Sequence, residues 1–297
     1  MSIISKIEHI YDKKYKQLML ITFGILLLSI GVIGVHWVTT GDFIDKGISL
    51  KGGTTITVQT DKQINIDSFQ ADARAKFPAD DVNARELSTT GRQVGLIVET
   101  TNTDSKALVA YVKEKVGEQN NINVETIGPS LGASFFKQTV IAIAIAFVLM
   151  SIVVFIYFRQ LMPSSYIILC AFSDIIFPWA VLILFHIKLS TAGVAAFLML
   201  TGYSVDTDIL LTTRVLKREG TIFKKIVDAF KTGSIMTLAA MAATGIAYFA
   251  TPSETLKQIM MILFIGLCAD LWNTWIQNAG LLRWWLESKQ KKVEDND

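Results

Sequence analysis

Hydrophobic residues along this chain fall into long uninterrupted blocks, with one extended polar interval after the first block. A bilayer core about 30 Å thick needs roughly 20 apolar helical residues to cross it. Six segments meet that requirement, at about 18–38, 138–158, 164–185, 190–212, 233–251 and 258–282. The first follows a charged stretch, but its apolar run is too long for a signal-peptide core and no small-x-small cleavage site follows Val38. It reads as a retained anchor.

The interval 39–136 has a different pattern. Gly53–Thr60 reads as a strand with Ile56 and Val58 on one face, and Phe69, Ala73 and Phe77 then recur at helical spacing. Val82–Thr89 reads as a second strand, and Thr90-Gly91-Arg92 as the turn into a third, where Val94, Leu96 and Val98 alternate. Asp104 and Ser105 are N-cap candidates for a helix carrying Leu108, Val112 and Val116, and Ile122 and Val124 mark a fourth strand. The order β-α-β-β-α-β predicts an α+β, ferredoxin-like domain with two helices over one sheet face. The expected organisation is a tail at 1–17, the first span at 18–38, the α+β domain at 39–136, a five-span bundle at 137–285 with a basic loop at 213–232, and a tail at 286–297.

Composition narrows the class. The chain has 297 residues, 51% hydrophobic and 18% charged, against about 45–50% and 25% for a soluble domain. With the apolar excess gathered in blocks, a soluble enzyme, a disordered chain and a disulfide scaffold are excluded. A net charge of +2 argues against nucleic-acid binding. The two cysteines, Cys170 and Cys268, both lie in apolar blocks, and with three histidines they form no ligand motif. No nucleotide, zinc-hydrolase or nucleophile-elbow signature is present, so no cofactor and no catalytic site is expected.

Charge also orients the chain. Fifteen Lys and Arg, among them Lys14, Arg159, Arg214, Lys225 and Arg283, fall on one side of the six spans, against Lys188 and Lys257 on the other. Cytoplasmic connections carry such an excess, so both termini are expected in the cytoplasm and 39–136 outside a cell membrane. Trp37, Trp284 and Trp285 sit at span ends, as an aromatic belt requires. The stretch Arg214–Lys231 carries six basic residues, with Ile222, Ile226 and Phe230 at spacing four, and reads as an amphipathic interfacial helix.

The chemistry sits in four intramembrane carboxylates, Asp174, Asp206, Asp208 and Asp270. Each costs about 2.5–3.5 kcal/mol in a bilayer and is kept for function or for pairing. At about 1.5 Å per residue they fall in one layer, from the midplane to slightly towards the basic side, with Arg214 at the end of the fourth span. Asp206 and Asp208 are about 200° apart on a helix, so one is expected to face the bundle and the other a partner or polar cavity. Thr201, Ser204, Asp208 and Thr212 form a polar stripe, while Asp206 shares its side with Gly202 and Tyr203. Pro178 is expected to loosen the third span one turn beyond Asp174, and small residues from Gly233 to Gly245 favour close packing of the fifth.

Four stretches resemble SecF, the smaller of the paired SecD and SecF subunits that attach to the Sec protein-export channel. Gly47-Ile48-Ser49-Leu50-Lys51-Gly52-Gly53 is similar to that family's Asp-Phe-x-Gly-Gly start of the external domain, and Gly128-Pro129-Ser130-Leu131-Gly132 to its Gly-Pro-x-x-Gly exit. Ser173-Asp174 matches its third-span aspartate, and Gly202-Tyr203-Ser204-Val205-Asp206-Thr207-Asp208 followed by Arg214 its fourth-span signature. The bacterial form, Gly-Tyr-Ser-x-Asn-Asp-Thr, puts its aspartate where Thr207 stands; the present form is similar to the archaeal branch. Gly233 stands where bacterial members tend to carry arginine.

The resemblance covers about residues 15–285. It implies half of a resistance-nodulation-division (RND) type permease, with a SecD-like subunit as the other half. It further implies the Sec channel, translocating polypeptide and lipid bilayer as partners, and possible coupling of export to the proton gradient through the carboxylates. The competing reading is an RND-type proton-coupled exporter of lipids or small molecules working as a homo-oligomer. An intramembrane aspartyl protease is disfavoured because neither Tyr-Asp nor Gly-x-Gly-Asp occurs at the span aspartates.

Overall fold

In the computed structural model, the described residues are 3–60, 62–78, 81–89, 92–102, 106–117 and 122–294, with side chains from 14 to 290 within them. The expected turn at Thr90-Gly91 and the caps Asp104 and Ser105 lie outside the described residues.

Among the described residues, ten α-helices and four strands follow in order: α1 (Ile3–Thr40), α2 (Ile48–Lys51), β1 (Gly53–Gln59), α3 (Ile66–Lys76), β2 (Asn83–Thr89), β3 (Arg92–Thr100), α4 (Lys106–Val116) and β4 (Ile122–Ile127), then α5 (Pro129–Phe158), α6 (Leu161–Leu184), α7 (Thr191–Lys217), α8 (Ile222–Ala250), α9 (Glu254–Trp272), and α10 (Ala279–Glu294). A π-helical segment, Asn273–Asn278, joins the last two. Six helical stretches among the described residues are long and apolar enough to cross a membrane: Lys14–Thr40, α5, α6, α7, α8 and Glu254–Gln290. The protein is a multi-pass membrane protein.

The four-stranded sheet is antiparallel throughout, in the order β2-β3-β1-β4. Its register sets Ile56 opposite Val98 on one side and Val124 on the other, and Val58 opposite Leu96. The alternation puts Ile56, Val58, Leu96 and Val98 on the face covered by Phe69 and Ala73 of α3 and Leu108, Tyr111, Val112 and Val116 of α4. Asn65 caps α3 by accepting from the Ser68 amide at 3.1 Å, which anchors the helix start.

Within the spans, α6, α7 and the last helix are about half buried (56%, 56% and 50%), whereas α1, α5 and α8 are 11%, 6% and 11%. The first three therefore form the inner rank and the others the outer one. One apolar layer near the sheet domain gathers Leu50, Leu182, Phe197, Leu200, Ile262 and Leu263. A second, at the opposite end, gathers Leu211, Val215, Ile226, Trp275 and Leu282. The buried polar residues lie between them along the sequence of each inner helix.

The sheet domain is strapped to the bundle by backbone bonds. The Gly47 amide donates to Leu189 O and the Leu189 amide to Asp45 O, both at 2.7 Å. Gly52 has φ +88°, and a Cβ there would lie 2.5 Å from Pro129 Cα; a Cβ on Gly132 would lie 2.6 Å from Gly52 N. The two glycine motifs thus meet, and only hydrogen fits between them. Lys257 Nζ donates to Ser88 O, and Lys188 Nζ lies 4.0 Å from Glu99 Oε2.

One expectation changes. The basic stretch 213–232 is not a loop and contains no separate interfacial helix. α7 runs to Lys217, a turn with Gly220 at φ +115° follows, and α8 begins at Ile222 and continues unbroken to Ala250. The 3.6-residue periodicity that suggested an interfacial helix is the first turns of the fifth span: Ile226 is buried, and Phe230 stacks edge-on against Trp275 at 5.3 Å. Of the signature glycines, Gly128 and Gly202 have nothing within 4 Å of a Cβ, so close packing inside this chain explains Gly52, Gly53 and Gly132 but not those two.

Candidate functional site

Three of the four carboxylates come together. Asp174 on α6, Asp208 on α7 and Asp270 on α9 are each fully buried, on three different inner helices. Asp206 is exposed on the opposite side of α7, as the 200° separation requires. Arg214 does not join the cluster: its Nη1 donates to Asp228 O at 2.6 Å. No ion pair between described residues involves the three buried carboxylates.

Hydroxyls and amides take the place of cations. Asp174 Oδ2 accepts from Ser204 Oγ at 2.5 Å, and its Oδ1 from Asn273 Nδ2 at 2.7 Å. Asp208 Oδ1 accepts from Asn278 Nδ2 at 2.8 Å and stands 2.9 Å from Thr274 Oγ1. That same hydroxyl stands 2.9 Å from Asp270 Oδ1, and Thr237 Oγ1 donates to Asp270 Oδ2 at 3.2 Å. Gln277 Nε2 donates to Ser173 Oγ at 3.1 Å, below Asp174.

Four of these partners, Asn273, Thr274, Gln277 and Asn278, belong to the six-residue π segment, and all four are buried. A π turn holds more residues than an α turn, which spreads one extra side chain onto the same face, and such turns are frequent at functional sites. Sequence reasoning missed this set. The signal available was two pairs of amide or hydroxyl residues, Asn273-Thr274 and Gln277-Asn278, within an otherwise apolar span.

On α6, Pro178 has no N–H for the carbonyl of Asp174. The helix nevertheless runs on from Leu161 to Leu184. On α8, a Cβ at Gly233 would overlap the Trp275 ring, 2.8 Å from Cη2. The indole fills the space beside the cluster that a larger residue at this position would need.

Among the described residues, one trio brings three potential metal-ligand atoms within 4.8 Å of one another: Cys170, Asp174 and Asp208. A single thiol beside two carboxylates offers too few oxygens for a hard cation's shell and too few sulfurs for a soft-metal site. The arrangement is instead a chain of hydrogen-bonding groups in which hydroxyls link carboxylates.

Residues 107–288 match the family described as "Protein export membrane protein SecD/SecF, C-terminal". The chain belongs to the SecD/SecF protein-export family. Family members named "Protein-export membrane protein SecF" are similar over nearly the whole length. The protein from Methanolacinia petrolearia is 36% identical over 93% of this chain and 95% of its own. That from Methanocaldococcus jannaschii is 37% identical over 95% and 99%. Among solved structures, SecDF from Thermus thermophilus, a translocon-associated membrane protein, superposes with a TM-score of 0.73 at 16% identity. It covers 92% of this chain, which spans 38% of that longer one. The family fold therefore includes the sheet insert as well as the six spans.

Proposed function

We infer that this chain is an auxiliary SecF-type subunit of the Sec protein translocase, assisting export of polypeptides across the membrane. The observation that carries this is the 36% identity to a SecF over 93% of the chain, which runs through both the sheet domain and the bundle. In this reading the bundle is one half of an RND-type permease and a SecD-like subunit supplies the other. The outer face of α7 supports that assignment. Gly202, Tyr203 and Asp206 are exposed there, with Tyr203 at 47%. A carboxylate facing lipid costs about 2.5–3.5 kcal/mol, and a bare glycine beside it admits a close helix. A partner helix accounts for both.

The charge asymmetry supports cytoplasmic termini and a sheet domain outside the cytoplasmic membrane, where it meets emerging polypeptide. The buried cluster, Asp174, Asp208 and Asp270, is the candidate for coupling to the proton gradient. A carboxylate protonated from one side sheds its desolvation cost and lets the helices around it shift.

The test is purification of the tagged chain from its native membrane in mild detergent. A SecD-like protein is expected to accompany it, with recovery falling at least tenfold for Asp206→Ala while the subunit's own thermal stability stays unchanged. Recovery of copies of this chain alone would overturn the half-permease reading in favour of a homo-oligomeric exporter. Normal export by Asp174→Asn, Asp208→Asn and Asp270→Asn variants would remove the coupling role.

A further inference from the structure

We propose that Thr274 bridges a shared-proton site inside this subunit's own bundle, with one proton held between Asp208 and Asp270. The argument is a count of hydrogens. Thr274 Oγ1 lies 2.9 Å from Asp208 Oδ1 and 2.9 Å from Asp270 Oδ1. A hydroxyl carries one hydrogen, so it makes a full, well-aligned donation to one oxygen at a time. An ionised carboxylate only accepts, and two acceptors at this distance with no hydrogen between them repel. The second contact therefore needs a hydrogen supplied by the carboxyl group.

The surroundings say which one supplies it. Asp208 Oδ1 already collects the Asn278 amide at 2.8 Å, so it is the acceptor end. Asp270 Oδ1–H then donates to Thr274 Oγ1, and Thr274 Oγ1–H donates to Asp208 Oδ1. Transfer is a paired shift. The Asp270 O–H bond breaks as its hydrogen joins Thr274 Oγ1, while the threonine's own hydrogen passes to Asp208 Oδ1. The pair keeps one negative charge and one proton throughout, and the charge moves from α7 to α9.

Thr274, like Ser204 on α7 and Thr237 on α8, turns its hydroxyl to a carboxylate. Hydroxyls inside α-helices usually bond the carbonyl four residues earlier, and Ser173, Thr201 and Thr207 do so here, to Leu169, Phe197 and Tyr203. Thr274 instead bonds Asp208 of α7 and Asp270, four residues back in its own span, with Cys170 Sγ as a further contact at 3.9 Å. The bridge also excludes Asp174, whose oxygens are taken by Ser204 and Asn273. Thr274 is thus the relaying hydroxyl, and Asp208 and Asp270 are the two ends between which the proton passes. The role in export rests on the coupling reading above; the bridge itself is a property of the isolated subunit.

Infrared spectroscopy of the purified full chain tests it. The expected result is a C=O stretching band of a protonated carboxyl at neutral pH that shifts in D2O. It should disappear in Asp270→Asn, persist in Asp174→Asn, move in Thr274→Val and return with Thr274→Ser. No such band in the unmodified chain, a band that disappears only with Asp174, or a band unmoved in Thr274→Val would each overturn the proposal. If Thr274→Val does not assemble, loss of the band in Asp270→Asn with retention in Asp174→Asn still decides for the bridge, and the reverse decides against it. Export is scored separately: normal export by a variant that has lost the band would keep the bridge and overturn coupling.

Discussion

The two glycines of Gly128-Pro129-Ser130-Leu131-Gly132 should respond in opposite ways to one and the same substitution. Gly132 sits in the first turns of α5 against the chain that enters β1. A Cβ there would lie 2.6 Å from Gly52 N, 2.9 Å from Lys51 C and 3.2 Å from Leu50 C. All three are backbone atoms, which cannot rotate aside. Reaching ordinary contact at 3.4 Å requires the α2–β1 junction and α5 to part by about 0.8 Å, the difference between 3.4 and 2.6. Overpacking of this kind costs about 1–3 kcal/mol, and serine regains about 0.5 kcal/mol of helix propensity over glycine. Gly132→Ser should therefore destabilise the protein by about 1–2 kcal/mol net. Gly128 is the N-cap of α5 at φ −64°, with nothing within 4 Å of a Cβ. Serine is a better N-cap than glycine by a few tenths of a kcal/mol, so Gly128→Ser should be neutral or slightly stabilising. Thermal unfolding of the two variants in one detergent, with limited proteolysis at the junction, makes the comparison. Equal behaviour of the two variants would refute the claim that Gly132 is fixed by backbone contact.

Gly233→Arg should cost about 3 kcal/mol or more, because the new side chain must displace the buried Trp275 indole; folded yield in detergent measures it, and Trp275→Ala should restore part of the loss. Lys188→Met combined with Lys257→Met should loosen the sheet domain from the bundle by removing the contacts to Glu99 and Ser88. Faster hydrogen exchange in β2 and β3, with exchange in α7 unchanged, is the expected readout.

Much of the architecture was legible because hydropathy over 20 residues and alternation over six are strong signals. Ile56 and Val58 faced the helices as their spacing required, and Asp206 and Asp208 parted because an α-helix turns about 100° per residue. What escaped was local geometry that no periodicity encodes. Ile222, Ile226 and Phe230 gave the right helix but the wrong partner: α8 has no breaker between its basic first turns and its span, so it never separates into a surface helix. The π segment was invisible for a related reason. Asn273, Thr274, Gln277 and Asn278 read as scattered polar residues on an assumed α-helix. Their common role follows only from the wider turn and from carboxylates contributed by α6 and α7, far away in sequence.

Among the described residues no cation enters the cluster, and this and the π segment belong to one solution. A helix bundle that buries three carboxylates must lower their cost by opposite charge, by hydrogen bonds or by protons. An arginine at position 233 would supply the first, but Trp275 occupies that space, held by the absence of a side chain on Gly233 and flanked by Phe230. Trp275 is itself the third residue of the π segment. The same segment that places Trp275 against Gly233 places Asn273, Thr274 and Asn278 against the carboxylates. Blocking the position for a cation and supplying donors in its stead are then two faces of one turn. A mutation that restores α-geometry there should fail on both counts, even if every polar side chain is retained.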